Sequence, residues 1–115
     1  MDYQWNIFWA DLNPVKGSEQ AGIRPVLVIS EEAVNQALPV VTVISLTAAK
    51  RGRKIYPIEL LLDAKDSHLP QPSIAMAHQI RSISKDRLIS QCGYIDNDEC
   101  KEKIRNIIKL YLDLF

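Results

Sequence analysis

The chain has 115 residues, of which 47% are hydrophobic and 24% are charged, a composition typical of a globular protein with one hydrophobic core. Basic and acidic residues each total 14, and this formal net charge of zero excludes a uniformly basic nucleic-acid-binding surface but allows a local basic patch. The sequence lacks both a membrane-length apolar run and a signal peptide. We therefore expect one domain, residues 1–115, that is cytoplasmic and has no membrane partner.

The N-terminal half predicts alternating strands and loops. Residues 4–12 alternate weakly and predict a first strand, which ends at Asn13-Pro14. A polar loop over residues 15–22 then leads to a β-branched strand over residues 24–30. Ser30 precedes two glutamates and predicts the cap of a short helix. Residues 40–46, VVTVISL, form the strongest β pattern in the chain.

The second half predicts short strands followed by one long helix. The expected segments are a basic loop over 47–54, a strand over 55–62 weakened by Pro57, a loop over 63–72, strands over 73–77 and 79–83 that meet near His78, a turn over 84–88 and a strand over 89–95. Asp96, with Glu99 three residues later, predicts the cap of the terminal helix. The apolar face of this helix comprises Ile104, Ile107, Ile108 and Tyr111. These segments predict a mainly β fold with α-helix (α+β), a small antiparallel sheet or partial barrel against which the helix packs.

Known cofactor and metal motifs are missing from the sequence. His68 and His78 have no ligand-like spacing to Cys92 or Cys100, and the two cysteines are interpreted as reduced thiols. The sequence also lacks a Walker loop, a GxGxxG fingerprint and a GxSxG elbow. We expect neither a metal nor a cofactor. Trp5 and Trp9 are interpreted as core residues.

Polar residues at predicted strand ends are the best candidates for chemistry. Arg24 begins one strand, Thr47 ends the strongest strand, and Gln79 lies at a strand junction. If these ends meet, the guanidinium and hydroxyl form an anion site that suits a phosphodiester. Four basic residues of the loop would add positive charge: Lys50, Arg51, Arg53 and Lys54. The alternatives are a solvated Arg24, a turn-capping Thr47, a Gln79 bound only to backbone and a solvated basic loop.

Several motifs, in order, resemble the MazF/PemK toxins of bacterial toxin–antitoxin systems. The matching segments are WADLNP at 9–14, GSEQAG at 17–22, RPVLVIS at 24–30, VISLT at 43–47 and AHQIRSI at 77–83. The family often has proline where Ser45 stands, and its common Gly-Asp before the first strand is Trp5-Asn6 here. The resemblance covers essentially the whole chain.

This resemblance implies a small SH3-like antiparallel barrel with a C-terminal helix, the CcdB/MazF-like fold, working as a homodimer. It implies a sequence-specific, metal-independent endoribonuclease that cuts single-stranded RNA by attack of the 2′-hydroxyl, leaving 2′,3′-cyclic phosphate and 5′-hydroxyl ends. It also implies a cognate antitoxin whose acidic, disordered tail blocks the RNA groove.

By position, the resemblance assigns catalysis to Arg24 and Thr47 and RNA contacts to Glu19, Gln20 and Gln79. Lys50 and Arg51 are added from the basic loop as substrate-binding residues. A guanidinium holds its proton too tightly to be a good general base, so we expect Arg24 to stabilise negative charge. Glu19, a water molecule and His78 are the candidate bases, in that order. The alternative function is a non-catalytic toxin on the same fold that binds a protein such as DNA gyrase, as CcdB toxins do.

Overall fold

A computed structural model describes residues 1–14 and 16–114, so Val15, the first residue of the predicted polar loop, lies outside the described residues. It contains one six-stranded sheet, whose strands are β1 (Asn6–Asp11), β2 (Ile23–Val28), β3 (Val40–Ala48), β4 (Glu59–Leu62), β5 (Ser73–Ser84) and β6 (Leu88–Tyr94). Their order in the sheet is β4-β5-β3-β2-β1-β6, and every neighbouring pair is antiparallel. The predicted α+β class, an antiparallel β structure with a C-terminal helix, is confirmed.

Each face of the sheet contributes to a hydrophobic core, because apolar residues alternate between two clusters. Ile7 packs in one core with Leu27 and Ile44, whereas its neighbour Phe8 packs in the other with Val26. This is the period-two alternation of side chains along a strand. The first core also contains the helix residues Ile104 and Ile107, so the terminal helix covers that face.

The helices are α1 (Glu32–Ala37), α2 (Ala64–Ser67) and α3 (Asp98–Leu112), and a single 3-10 turn spans Lys85–Arg87. Two predicted caps were wrong by one residue. Glu31, not Ser30, accepts a hydrogen bond from the backbone N–H of Val34, because the Ser30 hydroxyl binds the buried Asn35 instead. Asn97, not Asp96, caps α3 by accepting from the N–H of Cys100.

Other segment boundaries also differed from the predictions. The strand predicted over 55–62 begins only at Glu59, since Pro57 has no N–H to donate to a strand ladder. The loop predicted over 63–72 contains the single helical turn α2. The two segments predicted around His78 form one continuous strand, β5, whose pairing with β3 is irregular at that point.

Gly93 permits close contact between β6 and the segment after β4. A Cβ atom at this position would lie 2.5 Å from the carbonyl oxygen of Ser67 and 3.2 Å from Cδ2 of Leu69. Such a separation requires the backbone to move, because a carbonyl oxygen cannot rotate away as a flexible side chain can. We therefore expect Gly93→Ala to lower the free energy of unfolding by about 1–3 kcal/mol, as overpacking does.

Urea denaturation monitored by tryptophan fluorescence measures this effect. Ser90→Ala, at an exposed position of the same strand, is the matched control and should change stability by less than about 0.5 kcal/mol. Equal stability of the Gly93→Ala variant and the wild type would contradict the proposed close contact.

Candidate active site

Strand register brings Arg24 and Thr47 together. The β2–β3 ladder includes Val26 opposite Ser45, and Arg24 and Thr47 lie two residues further along their own strands, toward the same end of the sheet. Alternate residues of a strand share a face, so Arg24 lies on the face of Val26 and Thr47 on the face of Ser45. Arg24 and Thr47 therefore lie at the same end of two adjacent strands.

Both residues also line a cleft of about 320 Å³. Its walls are largely apolar and include Trp9 and Ile23 from the first two strands and Leu69 and Pro70 from the segment after α2. The interpretation of Trp9 as a core residue was wrong, since 41% of its surface is exposed. Trp5 is only partly buried, and Lys101 and Arg105 lie over its ring. An aromatic residue and apolar walls beside a cation suit a ligand with both a charged and a flat part.

The side chain of Gln79 forms hydrogen bonds with the polar loop before β2 and holds this loop in place. The Gln79 side-chain carbonyl accepts a hydrogen bond from the Gln20 N–H at 3.2 Å, and its amide donates to the Ser18 carbonyl at 3.3 Å. Both contacts are to backbone, as the alternative interpretation of Gln79 proposed. Within the loop, the Glu19 carboxylate accepts from the Lys16 N–H. The loop in turn orients Arg24, whose Nε donates to the carbonyl of Ala21.

The basic loop after β3 contains a structural ion pair. Arg53 makes two hydrogen bonds of 2.8 Å to the Glu59 carboxylate, which is 1% exposed and also accepts from the Tyr56 N–H. The Arg53 hydrogen bonds lower the pKa of Glu59 despite the opposing effect of burial. Arg53 therefore anchors the loop rather than adding free positive charge, and the prediction that it contributes to an anion-binding field was wrong. Lys50 and Arg51 are exposed in the turn that precedes it.

The remaining candidates for chemistry are the two histidines and the two cysteines. Nδ1 of His68 lies 2.9 Å from the Tyr94 carbonyl oxygen and its ring stacks on Tyr94, whereas His78 lies in the irregular part of β5. Cys92 and Cys100 are free thiols, and burial raises the pKa of both. Across residues 1–14 and 16–114, His, Cys, Asp and Glu side chains form no group of three suited to a metal ion. In the same residues, every helix is too short or too polar to cross a membrane.

Comparison with known proteins identifies the family. Residues 3–112 match the family described as PemK-like, MazF-like toxin of type II toxin–antitoxin system, and the chain belongs to this family. It is 37% identical over 109 residues to Endoribonuclease EndoA of Bacillus subtilis (strain 168), covering 95% of this chain and 92% of that protein.

Solved structures of family members share the fold. Mycobacterium tuberculosis toxin MazF-mt6 superposes with a TM-score of 0.74 at 28% identity, covering 94% of this chain and 96% of that one. A chain from the MazE-MazF (Form-II) structure of Deinococcus radiodurans gives a TM-score of 0.74 at 25% identity, covering 98% and 96% of the two chains. The expected MazF-like fold is thereby confirmed.

We expect Gln79→Ala to loosen the loop without unfolding the sheet. The substitution removes the acceptor of the Gln20 N–H, and the loss of one hydrogen bond of about 1 kcal/mol should accelerate exchange of that amide about fivefold. Amide hydrogen exchange by NMR measures this rate. Gln79→Glu, which keeps an oxygen acceptor, is the control and should exchange more slowly than the alanine variant. Unchanged exchange at Gln20 in Gln79→Ala would contradict the anchoring role.

We expect Glu59→Gln to destabilise the fold in a pH-dependent manner. Losing charge-assisted hydrogen bonds should lower the free energy of unfolding by about 1–3 kcal/mol at neutral pH. Because the fold lowers the pKa of Glu59, this stabilisation is fully present above the unfolded-state pKa of about 4.3 and disappears as the pH falls through the lower folded-state pKa. The difference between variant and wild type should therefore narrow below about pH 4.

Urea titrations across this pH range measure the difference. The matched control is Glu102→Gln, since Glu102 meets Arg105 at 3.4 Å on the exposed surface of α3 and should contribute less than about 1 kcal/mol. A pH-independent difference for Glu59→Gln would show that its charge is unimportant.

Proposed function

We propose that this chain is the toxin of a toxin–antitoxin pair and a sequence-specific, metal-independent endoribonuclease acting on single-stranded RNA. The observation that carries the proposal is the Arg24–Thr47 pair on adjacent antiparallel strands, in a chain that belongs to the PemK/MazF family. The relative EndoA is named as an endoribonuclease. We take residues 1–115 as one catalytic domain that acts in the cytoplasm, where its mRNA substrate is found.

The proposed reaction is attack of a ribose 2′-hydroxyl on the adjacent phosphorus. A new O–P bond forms as the bond to the 5′-oxygen breaks, giving a 2′,3′-cyclic phosphate and a 5′-hydroxyl. Negative charge develops on the phosphorane oxygens, and donors fixed around them lower the barrier. Arg24 fits this role because its Nε is held by Ala21 O, which directs the guanidinium without using its terminal nitrogens. Thr47 supplies a second, hydroxyl donor to a phosphate oxygen.

Proton transfer completes the reaction. We assign the acceptor of the 2′-hydroxyl proton to Glu19, acting directly or through a water molecule. Its carboxylate is exposed in the loop that also contacts Arg24, and it holds one backbone N–H through one oxygen, Oε1. The leaving 5′-oxygen gains a proton from solvent or from a donor in the groove. Arg24 acts only as a hydrogen-bond donor, since a guanidinium does not give up its proton near neutral pH.

RNA recognition follows from the surroundings of the pair. Unstacked bases pack on aromatic and apolar side chains, and Trp9 with Ile23 provides such a surface in the cleft. We assign a further RNA contact to Gln20. We also assign Gln79 to RNA binding, because it holds the loop that carries Gln20. Lys50 and Arg51 provide charge for the backbone of the strand.

Two protein partners are also proposed. The chain forms a homodimer with two-fold symmetry, which would extend the groove across two subunits. A cognate antitoxin covers this groove with an acidic, disordered tail that competes with RNA for Arg24, Lys50 and Arg51. The MazE-MazF structure from Deinococcus radiodurans supports this assignment through its similarity to the present fold.

Cleavage of a long single-stranded RNA in the presence of EDTA tests the proposal. Wild-type protein should produce discrete cuts with cyclic-phosphate ends. Arg24→Ala should lower the cleavage rate about 10²–10³-fold, as loss of a transition-state donor does. Thr47→Ala should reduce it by a smaller factor, Glu19→Gln by about 10²-fold or more, and Arg24→Lys should fall between Arg24→Ala and wild type because it keeps only the charge.

Gln36→Ala is the control, because Gln36 contacts the N-terminal segment and α1 rather than the site, and it should cut like wild type. Intact RNA with folded wild-type protein would overturn the nuclease proposal. Growth arrest with intact cellular RNA would instead favour a toxin that binds a protein such as DNA gyrase.

A further inference from the structure

Three buried polar atoms have no hydrogen-bond partner among the described residues. They are Oγ of Ser45, Nδ1 of His78 and Nη1 of Arg81. Ser45 is 1% exposed, so its hydroxyl is removed from bulk solvent. Buried polar groups in native proteins are almost always hydrogen-bonded, and an unpaired buried donor costs about 1–3 kcal/mol. Such a set therefore requires an explanation, and a ligand is one.

The strand register places these three residues together. Val43 of β3 lies opposite Arg81 of β5, and Ser45 lies opposite Met76. Two steps along β3 thus correspond to five along β5, and the extra residues of β5 bulge opposite Ile44. His78 lies within that bulge, between the partners of Val43 and Ser45. The irregularity that interrupts the ladder is therefore also the place where the unpaired atoms occur.

This group continues the face that carries the Arg24–Thr47 pair. Alternate residues of a strand share a face, so Ser45 projects to the same side as Thr47, about 7 Å along β3. Val43 lies on the same face of β3 and packs in the second core, the core that contains Phe8. Arg81 lies directly opposite Val43 and therefore shares this face. The unpaired group therefore adjoins, along β3, the end of the strand where Thr47 would contact the scissile phosphate.

The charges around the group favour an anion. Glu59 is the nearest carboxylate by register, because it lies opposite Met76, which in turn lies opposite Ser45. The Glu59 oxygens are bound by Arg53 and the Tyr56 N–H. Arg81 therefore lacks a carboxylate partner among the described residues. An arginine can only donate hydrogen bonds, and serine and histidine can each donate one as well. The partner that suits all three donors is an oxygen-rich anion.

We propose that Ser45, His78 and Arg81 bind the phosphate next to the one that is cleaved. This inference rests on the proposed function, because it assigns a second phosphate site to the same RNA groove. Arg81 supplies charge, and the serine hydroxyl and the imidazole orient the phosphate oxygens. Holding two successive phosphates fixes the direction of the strand between them, which positions the 2′-hydroxyl for in-line attack at Arg24.

A double-mutant cycle, in which one change is made in the protein and the other in the RNA, tests the site. The probe is a short RNA containing the cleavage sequence mapped with wild-type protein, made uncleavable by a 2′-deoxy sugar at the cut. A neutral methylphosphonate then replaces each phosphate in turn, and affinity is measured by fluorescence anisotropy. We expect one phosphate adjacent to the cut to couple with Arg81. Its neutralisation should weaken wild-type binding about tenfold, but binding by Arg81→Met less than about twofold.

Arg81→Lys should recover part of the affinity, since lysine keeps the positive charge but lacks the planar guanidinium that donates two parallel hydrogen bonds. Ser45→Ala should show the same positional coupling with a smaller factor. Arg105→Met is the matched control, because Arg105 lies on the exposed surface of α3 and should show equal, additive methylphosphonate effects at every position. Thermal melts establish that each variant is folded.

A histidine spectrum gives a second readout. The chain has two histidines, and Nδ1 of His68 is occupied by the Tyr94 carbonyl. The Nδ1 resonance of His78 should move when the unmodified RNA binds, and less when the coupled methylphosphonate RNA binds, while that of His68 stays in place. RNA cleavage without positional coupling to Arg81 would overturn this inference alone. Failure of wild-type protein to cut or bind any RNA would overturn it together with the proposed function.

Discussion

The pairing of β3 with β2 on one side and β5 on the other is the constraint on which the site depends. Because opposed residues of antiparallel strands share a face, this register decides which polar side chains meet. It sets Val26 against Ser45 and brings Arg24 and Thr47, two residues further along their strands, to the same end of the sheet. A shift of one residue in either pair would send the same side chains into the opposite core. The hydrophobic alternation that builds two cores therefore also aligns the polar residues.

Arg53 and Glu59 form an ion pair in which the carboxylate is buried, so the charge of Arg53 stabilises the fold and is not available to a ligand. A carboxylate that is 1% exposed must be neutralised locally, and Arg53 does so with two hydrogen bonds. Arg24 and Arg81, which lie on one face of the sheet, form no ion pair with a carboxylate among the described residues. The zero net charge of the chain is thus compatible with a positive groove, since charge is distributed by position rather than by composition.

Local patterns in the sequence predicted the strands and the terminal helix well, because period-two alternation and a 3.6-residue apolar face are local signals. They also predicted that Arg24 and Thr47 lie at strand ends. The importance of Glu59 and Arg81 could not be predicted in the same way, because their partners are set by cross-strand register and by the bulge in β5. Ser45 had a signal that could have been used: in Val41, Val43, Ser45 and Thr47 it is the position where an alternating apolar series turns polar. The one-residue errors in helix caps arose because several adjacent residues could cap, and tertiary contacts such as that of Ser30 with Asn35 selected among them.

The anchoring of the basic loop through Arg53 has an evolutionary consequence. Arg53 ties the loop to Glu59, while Lys50 and Arg51 are exposed. Substitutions at exposed positions away from such contacts usually change stability by less than about 0.5 kcal/mol. The loop tip is therefore free to diversify while the fold and the Arg24–Thr47 pair are retained. Related chains with the same anchor can acquire different ligand preferences through a few neutral steps at the tip, without passing through an unfolded intermediate.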